Sequence, residues 1–130
     1  MDTAPFHIVI TDRNSHVREL LFRELLREGY RVTEAKDSAH LLTIFTSSRP
    51  VDLLILDPEV CNLQRCSSIT LGETRVILHA LVDTDSVPLP PGLANAAACV
   101  DKTGDLDELK RVVRELLMHS GSAPRGTDNV

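Results

Sequence analysis

The run Leu53-Leu54-Ile55-Leu56, entered through Val51-Asp52 and stopped at Asp57, constrains this chain more than any other feature. It is too short for an ordinary helix and lacks polar alternation, so it reads as a strand buried on both faces. Ile8-Val9-Ile10, closed by Thr11-Asp12-Arg13-Asn14, has the same character. So do Arg75-Val76-Ile77-Leu78, ending in His79-Ala80, and Ala98-Cys99-Val100, leading into Asp101-Lys102. A shorter strand is expected around Arg31-Val32-Thr33.

Helical patterns separate these strands. Asn14 or Ser15 caps a helix running to about Glu28, with Val17, Leu20, Leu21 and Leu25 on one stripe and Gly29 as its left-handed stop. Its charges, Arg18, Glu19, Arg23, Glu24, Arg27 and Glu28, read as a solvated face laced with i,i+4 pairs. Asp37 is the N-cap of a second helix from Ser38 to about Thr46, with Leu41, Leu42 and Phe45 inward. The last helix starts at Asp105, where Glu108 completes a capping box, and Leu106, Leu109, Val112, Val113, Leu116 and Leu117 form its apolar face.

Strands alternating with helices argue for a parallel sheet covered on both sides. The ligands of such sheets sit outside the strand C-termini. That rule gathers Asp12, Asp57, His79 and Lys102 at one edge, four polar groups at four strand ends.

The middle of the chain departs from the regular pattern. Residues 58–74 hold at most one short helix, near Leu63–Ile69. Pro88, Pro90 and Pro91 exclude a regular helix over 81–92, leaving at most a turn near Leu93–Ala97. One domain over residues 1–119 is expected, with 120–130 as a polar flexible tail or linker stub.

A net charge of −5 speaks against direct nucleic-acid binding, which needs a basic face. No apolar stretch approaches the roughly 18 residues of a membrane span, and Met1–Val9 lacks the features of a signal peptide, so a cytoplasmic location is expected. Cys61, Cys66 and Cys99 include no metal-type Cys-x-x-Cys pair and read as reduced thiols. Cys61 and Cys66 fall in the irregular loop, and Cys99 reads as a small core or edge filler. With aromatic residues at 3% and no Ser/Thr/Gly-rich loop after the first strand, a flavin site is excluded.

In order and spacing, these motifs resemble the receiver domain of bacterial two-component response regulators, from Ile8 to about Met118. Ile8-Val9-Ile10-Thr11-Asp12 resembles that family's first strand and acidic turn, and Leu53-Leu54-Ile55-Leu56-Asp57 the strand with its phosphoacceptor aspartate. Val76-Ile77-Leu78-His79-Ala80 resembles its fourth strand, and Ala98-Cys99-Val100-Asp101-Lys102 its fifth strand with the site lysine. The resemblance implies a flavodoxin-like fold: a five-stranded parallel sheet of order 2-1-3-4-5 with helices on both faces, the third and fourth of them shortened or irregular here. It implies phosphoryl transfer from a histidine kinase to Asp57, with Mg2+ held by Asp12 and Asp57 and with Lys102 on the phosphoryl oxygens.

The chain departs from the family pattern at several positions. Arg13 stands where a second acidic residue belongs, and His79 where a Thr or Ser does. Thr103 follows Lys102 where proline is common, and Cys99 takes the place of an aromatic switch residue. Only 22 positions separate Asp57 from His79, fewer than the family uses. Arg13 changes the formal sum of the three metal positions from −3 to −1. At about 4 Å and an effective dielectric near 20, each lost charge pair is worth about 4 kcal/mol before desolvation and screening.

Two placements of Arg13 stay open: pairing with Asp57 or Asp12, or swinging into solvent. His79 is expected either to hydrogen-bond Asp57 or a phosphoryl group, responding to pH, or to point at water from the strand end. Asp57 has a plainer reading as a cap of the following turn, and His16 as an exposed loop residue.

The expected function is an atypical pseudo-receiver, not an enzyme, with weak Mg2+ binding and weak or lost phosphorylation of Asp57. Its expected partners are a histidine kinase or another signalling protein. The expected docking surface is the fourth-helix, fifth-strand and fifth-helix face, with Pro88–Gly92 as its specificity element, and a homodimer through this face is a further expectation. The alternative is a phospho-competent response regulator. A remote one, an aspartate-nucleophile phosphatase, has only the partial echo Asp57-Pro58-Glu59 and no room for a cap insertion.

Overall fold

The structure, a computed structural model, describes residues 5–47, 49–57, 74–80, 98–102 and 105–122. Its strands are β1 (His7–Thr11), β2 (Arg31–Ala35), β3 (Leu53–Leu56), β4 (Arg75–Ala80) and β5 (Ala98–Asp101). The helices among the described residues are α1 (Ser15–Arg27), α2 (Ser38–Thr46) and α3 (Leu106–Ser122). The strands form one parallel sheet in the order β2-β1-β3-β4-β5, as expected. The shortened third and fourth helices of the sequence reading lie outside the described residues, as do Cys61, Cys66 and Pro88–Gly92.

Side-chain alternation along the strands divides the core in two. On one face Ile8, Ile10, Leu53, Ile55, Ile77 and Val100 meet Leu21 and Leu25 of α1 and Leu109, Val113 and Leu117 of α3. On the other, Val9, Leu54, Leu56, Val76 and Leu78 pack with Ala35 and with Leu41 of α2. The central strand β3 is fully enclosed, which explains its unbroken apolar run.

The helix ends follow the local chemistry. The Asn14 carboxamide oxygen accepts from the His16 and Val17 N–H groups. Gly29 adopts φ 98°, and the Gly29 and Tyr30 N–H groups donate to the carbonyls of Leu26 and Leu25, a Schellman closure. Asp37 caps α2 through the His40 N–H at 2.8 Å, and Asp105 caps α3 through the Asp107 N–H at 3.1 Å.

A buried latch fixes the sheet's N-terminal edge. The His7 ring is held between the Pro50 carbonyl (Nδ1, 2.9 Å) and Thr33 Oγ1 (Nε2, 2.8 Å). A carbonyl only accepts, so Nδ1 carries the proton. The His7 N–H also donates to Asp52 Oδ2 at 2.8 Å, and the Asp52 N–H donates to the His7 carbonyl at 2.9 Å. Strands β1, β2 and β3 are thereby tied at one end by groups whose polarity is satisfied.

Ile55 is fully buried between β1 and β4. Ile55→Ala is expected to cost about 2–5 kcal/mol from lost burial and the cavity left behind, read as a lowered urea midpoint with an unchanged slope.

Candidate functional site

At the C-terminal edge of the sheet, β1, β3 and β5 deliver Asp12, Asp57 and Lys102 to one point. Both aspartates are buried, at 1% and 2% exposure. The Lys102 ammonium lies 2.8 Å from Asp57 Oδ2 and 3.0 Å from Asp12 Oδ2, bridging the two carboxylates. Burial alone would lower its pKa, but the hydrogen bonds to Asp57 and Asp12, with their charges, outweigh that and raise it. The lysine therefore stays charged, and its side chain remains 21% exposed toward the mouth of the site.

The surrounding backbone sets the aim of each carboxylate. The Asn14 N–H donates to Asp12 Oδ1 at 2.9 Å, leaving Oδ2 for Lys102. The Arg13 N–H reaches Asp57 Oδ2 at 3.4 Å. Thr11 Oγ1 accepts from the Asp57 N–H at 2.9 Å and donates to the Ile55 carbonyl at 3.4 Å, tying β1 to the end of β3. The sequence reading missed Thr11. Its only signal was a hydroxyl closing an apolar strand one residue before an acid.

Arg18 was misread. Its side chain is 13% exposed, its Nε donates to Glu34 Oε1 at 3.0 Å and its Nη1 to the Asp12 carbonyl at 2.8 Å. Both partners lie off its own helix, which one-helix periodicity cannot show. Glu24 likewise reaches across to Lys110 of α3 at 2.7 Å, whereas Glu19–Arg23 at 3.5 Å is the expected i,i+4 pair.

Arg13 is exposed, and its main-chain N–H reaches Asp57 Oδ2. His79, opposite Val100 on β5, is 6% exposed, so the reading that it points at water is corrected. His79 is the penultimate residue of β4, and its Nδ1 is buried without a hydrogen-bond partner among the described residues. Its pKa is lowered by burial first and by the Lys102 charge second, against the pull of Asp12, Asp57 and Asp101. Cys99 is an exposed free thiol on the edge strand β5, so its edge reading holds and its core reading does not, and His16 is exposed as read.

A parallel sheet of this order, with paired aspartates and a lysine at its strand ends, defines a receiver-type signalling module. The comparisons agree. Response regulator MprA of Mycobacterium sp. (strain KMS) is 32% identical over 130 residues, covering 96% of this chain and 56% of that protein. The chain thus spans about half the length of the curated relatives it matches. The response regulator TrrA of Thermotoga maritima, solved in complex with Mg2+-BeF, is 30% identical with a TM-score of 0.69 over 86% of this chain and 99% of that one. A Clostridium thermocellum receiver domain, 17% identical, shares the fold at a TM-score of 0.75 over 89% of this chain and 97% of its own. No family model matches the chain. The chain belongs to the receiver domains of two-component response regulators.

The lowered His79 pKa fixes the sign of one pH effect. Between the folded pKa and the ordinary value near 6.5, the unfolded chain binds the extra proton and the folded chain does not. Stability is therefore expected to fall as pH drops below about 6.5. Urea midpoints measured at pH 7.5 and 5.5 are expected to separate less in His79→Gln, and equal separations in both proteins would refute the assignment.

Proposed function

We propose that this receiver is a pseudo-receiver: Mg2+-dependent phosphorylation of Asp57 is weak or lost, and the domain acts through protein–protein contacts. One observation carries the reading. Two carboxylates, Asp12 and Asp57, converge on a single ammonium, and the adjoining position that would add a third acid is Arg13. Among the described residues, no group of three His, Cys, Asp or Glu side chains is placed to hold a metal ion.

The donor set fits Mg2+ only in reduced form. Mg2+ demands octahedral oxygen ligation and is commonly held by one or two carboxylates plus phosphate oxygens. Asp12 and Asp57 would hold it, and when bound it would neutralise charge developing on a transferring phosphoryl group. The formal charges of Asp12, Asp57, Lys102 and Arg13 sum to zero, which weakens the electrostatic attraction such an ion relies on.

The competing reading is a phospho-competent receiver, and the exposure of Arg13 favours it, since an exposed residue leaves room at the mouth. The kinase partner is drawn by likeness: TrrA has also been solved in complex with the histidine kinase ThkA, and this chain is 30% identical to the receiver there, at a TM-score of 0.66. We assign a cytoplasmic setting; the unit expected over residues 1–119 ends inside α3, which runs to Ser122. The homodimer face would include β5 and α3, and its expected fourth-helix part lies outside the described residues.

Intact-mass measurement after incubation with acetyl phosphate and Mg2+ tests the reading, with Asp57→Asn as the control. The wild-type protein is expected to gain little or no phosphoryl group. Arg13→Asp is expected to raise the yield about tenfold or more, equivalent to about 1.4 kcal/mol recovered at the metal site. A full adduct on the wild-type chain, absent from Asp57→Asn, would establish the competing reading instead.

A further inference from the structure

Arg18 stands outside the set of residues that the family chemistry uses, yet it is tied to that set by two bonds. Its Nη1 donates to the carbonyl oxygen of Asp12 at 2.8 Å. That carbonyl belongs to the same peptide group as the Arg13 N–H, and a trans peptide is a rigid plane whose C=O and N–H point in opposite directions. Fixing the oxygen therefore fixes the direction of the N–H. The Arg13 N–H is aimed at Asp57 Oδ2, 3.4 Å away, the same oxygen that Lys102 holds at 2.8 Å.

The other arm of the guanidinium fork is equally defined. Nε donates to Glu34 Oε1 at 3.0 Å, and Glu34 lies on the edge strand β2, paired in register with Ile10 of β1. A fork with two partners at fixed angles has little freedom left to rotate. The Arg18 side chain is largely buried, so water competes weakly for these bonds. At its own start the helix is anchored in the same turn, because the Arg18 N–H donates to the Asn14 carbonyl at 3.0 Å and the Asn14 N–H to Asp12 Oδ1 at 2.9 Å.

We infer that Arg18, oriented by Glu34, is a positioning residue that aims the Asp12–Arg13 peptide N–H at the acceptor carboxylate of Asp57. The relay runs from the edge strand through one side chain and one peptide plane to Oδ2. It requires no metal and does not depend on whether Asp57 takes phosphate. At 3.4 Å the terminal bond is long, so the contribution of Arg18 is direction more than strength.

Nuclear magnetic resonance of the full chain tests this inference without reference to activity, by reading the Arg13 amide and the Asp57 side-chain carboxyl 13C shift at one pH. Arg18→Lys keeps the charge but loses the fork, and Glu34→Gln keeps the shape but loses the ion pair. Both are expected to move the Arg13 amide and Asp57 carboxyl resonances together and to speed Arg13 amide exchange by up to about tenfold, the scale of one lost hydrogen bond. Leu25→Ala, destabilised through the core alone, is expected to leave both resonances in place. Unmoved resonances in Arg18→Lys, whatever its stability, would show a merely structural arginine and overturn the inference. An unmoved pair in Glu34→Gln would remove Glu34 from the relay and overturn it as stated.

Discussion

Two buried carboxylates side by side repel unless a cation or a shared proton lies between them, and in this domain the Lys102 ammonium bridges them. The rest of the site follows from that demand. The ammonium must arrive from β5, so β5 must pair with β4 in a register that places Asp101 and Lys102 level with the strand ends. Asp57 must leave β3 where Thr11 ends β1, and the Thr11 hydroxyl meets its N–H there. Each element is held by local propensity, but the meeting of β1, β3 and β5 at one point is a property of the sheet order.

The two edges of the sheet handle buried polarity differently. At the N-terminal edge, His7 finds an acceptor for one ring nitrogen and a hydroxyl for the other, and Asp52 closes the main chain. That edge is complete. At the C-terminal edge, His79 is buried with Nδ1 lacking a partner among the described residues, and the ammonium is shared between two acids. A buried polar atom without a partner costs about 1–3 kcal/mol. Such costs concentrate where a fold keeps groups for chemistry or recognition rather than for stability.

How far the sequence disclosed this depended on the range of each interaction. Helix α2 was legible to the residue, because Asp37 and the Leu41 spacing are local signals. Gly29 announced the end of α1 for the same reason. The sheet order and the gathering of Asp12, Asp57 and Lys102 were legible because parallel sheets expose their strand ends by rule. Arg18 was not, since a charge on a helix looks the same whether it faces water or reaches Glu34, sixteen residues away on another element. His79 was half legible: its strand was plain, but its burial depends on how the neighbouring elements close over the strand end.

On the proposed pseudo-receiver reading, the identity of residue 13 decides what kind of device this geometry makes. A second acid there would leave an excess of negative charge that a divalent ion must cancel, so that the resting and occupied states differ by a removable +2. A guanidinium is also positive, but it is covalently attached and always charged. A fixed charge biases one state permanently, whereas a switch requires a ligand with different affinities for two states. The Arg13 backbone still serves the site through its N–H, so the fold keeps the geometry of the family while its side chain replaces an exchangeable charge with a permanent one. On the proposed pseudo-receiver reading, such a domain retains a defined surface to present to partners, and the information it carries lies in that surface rather than in the occupancy of Asp57.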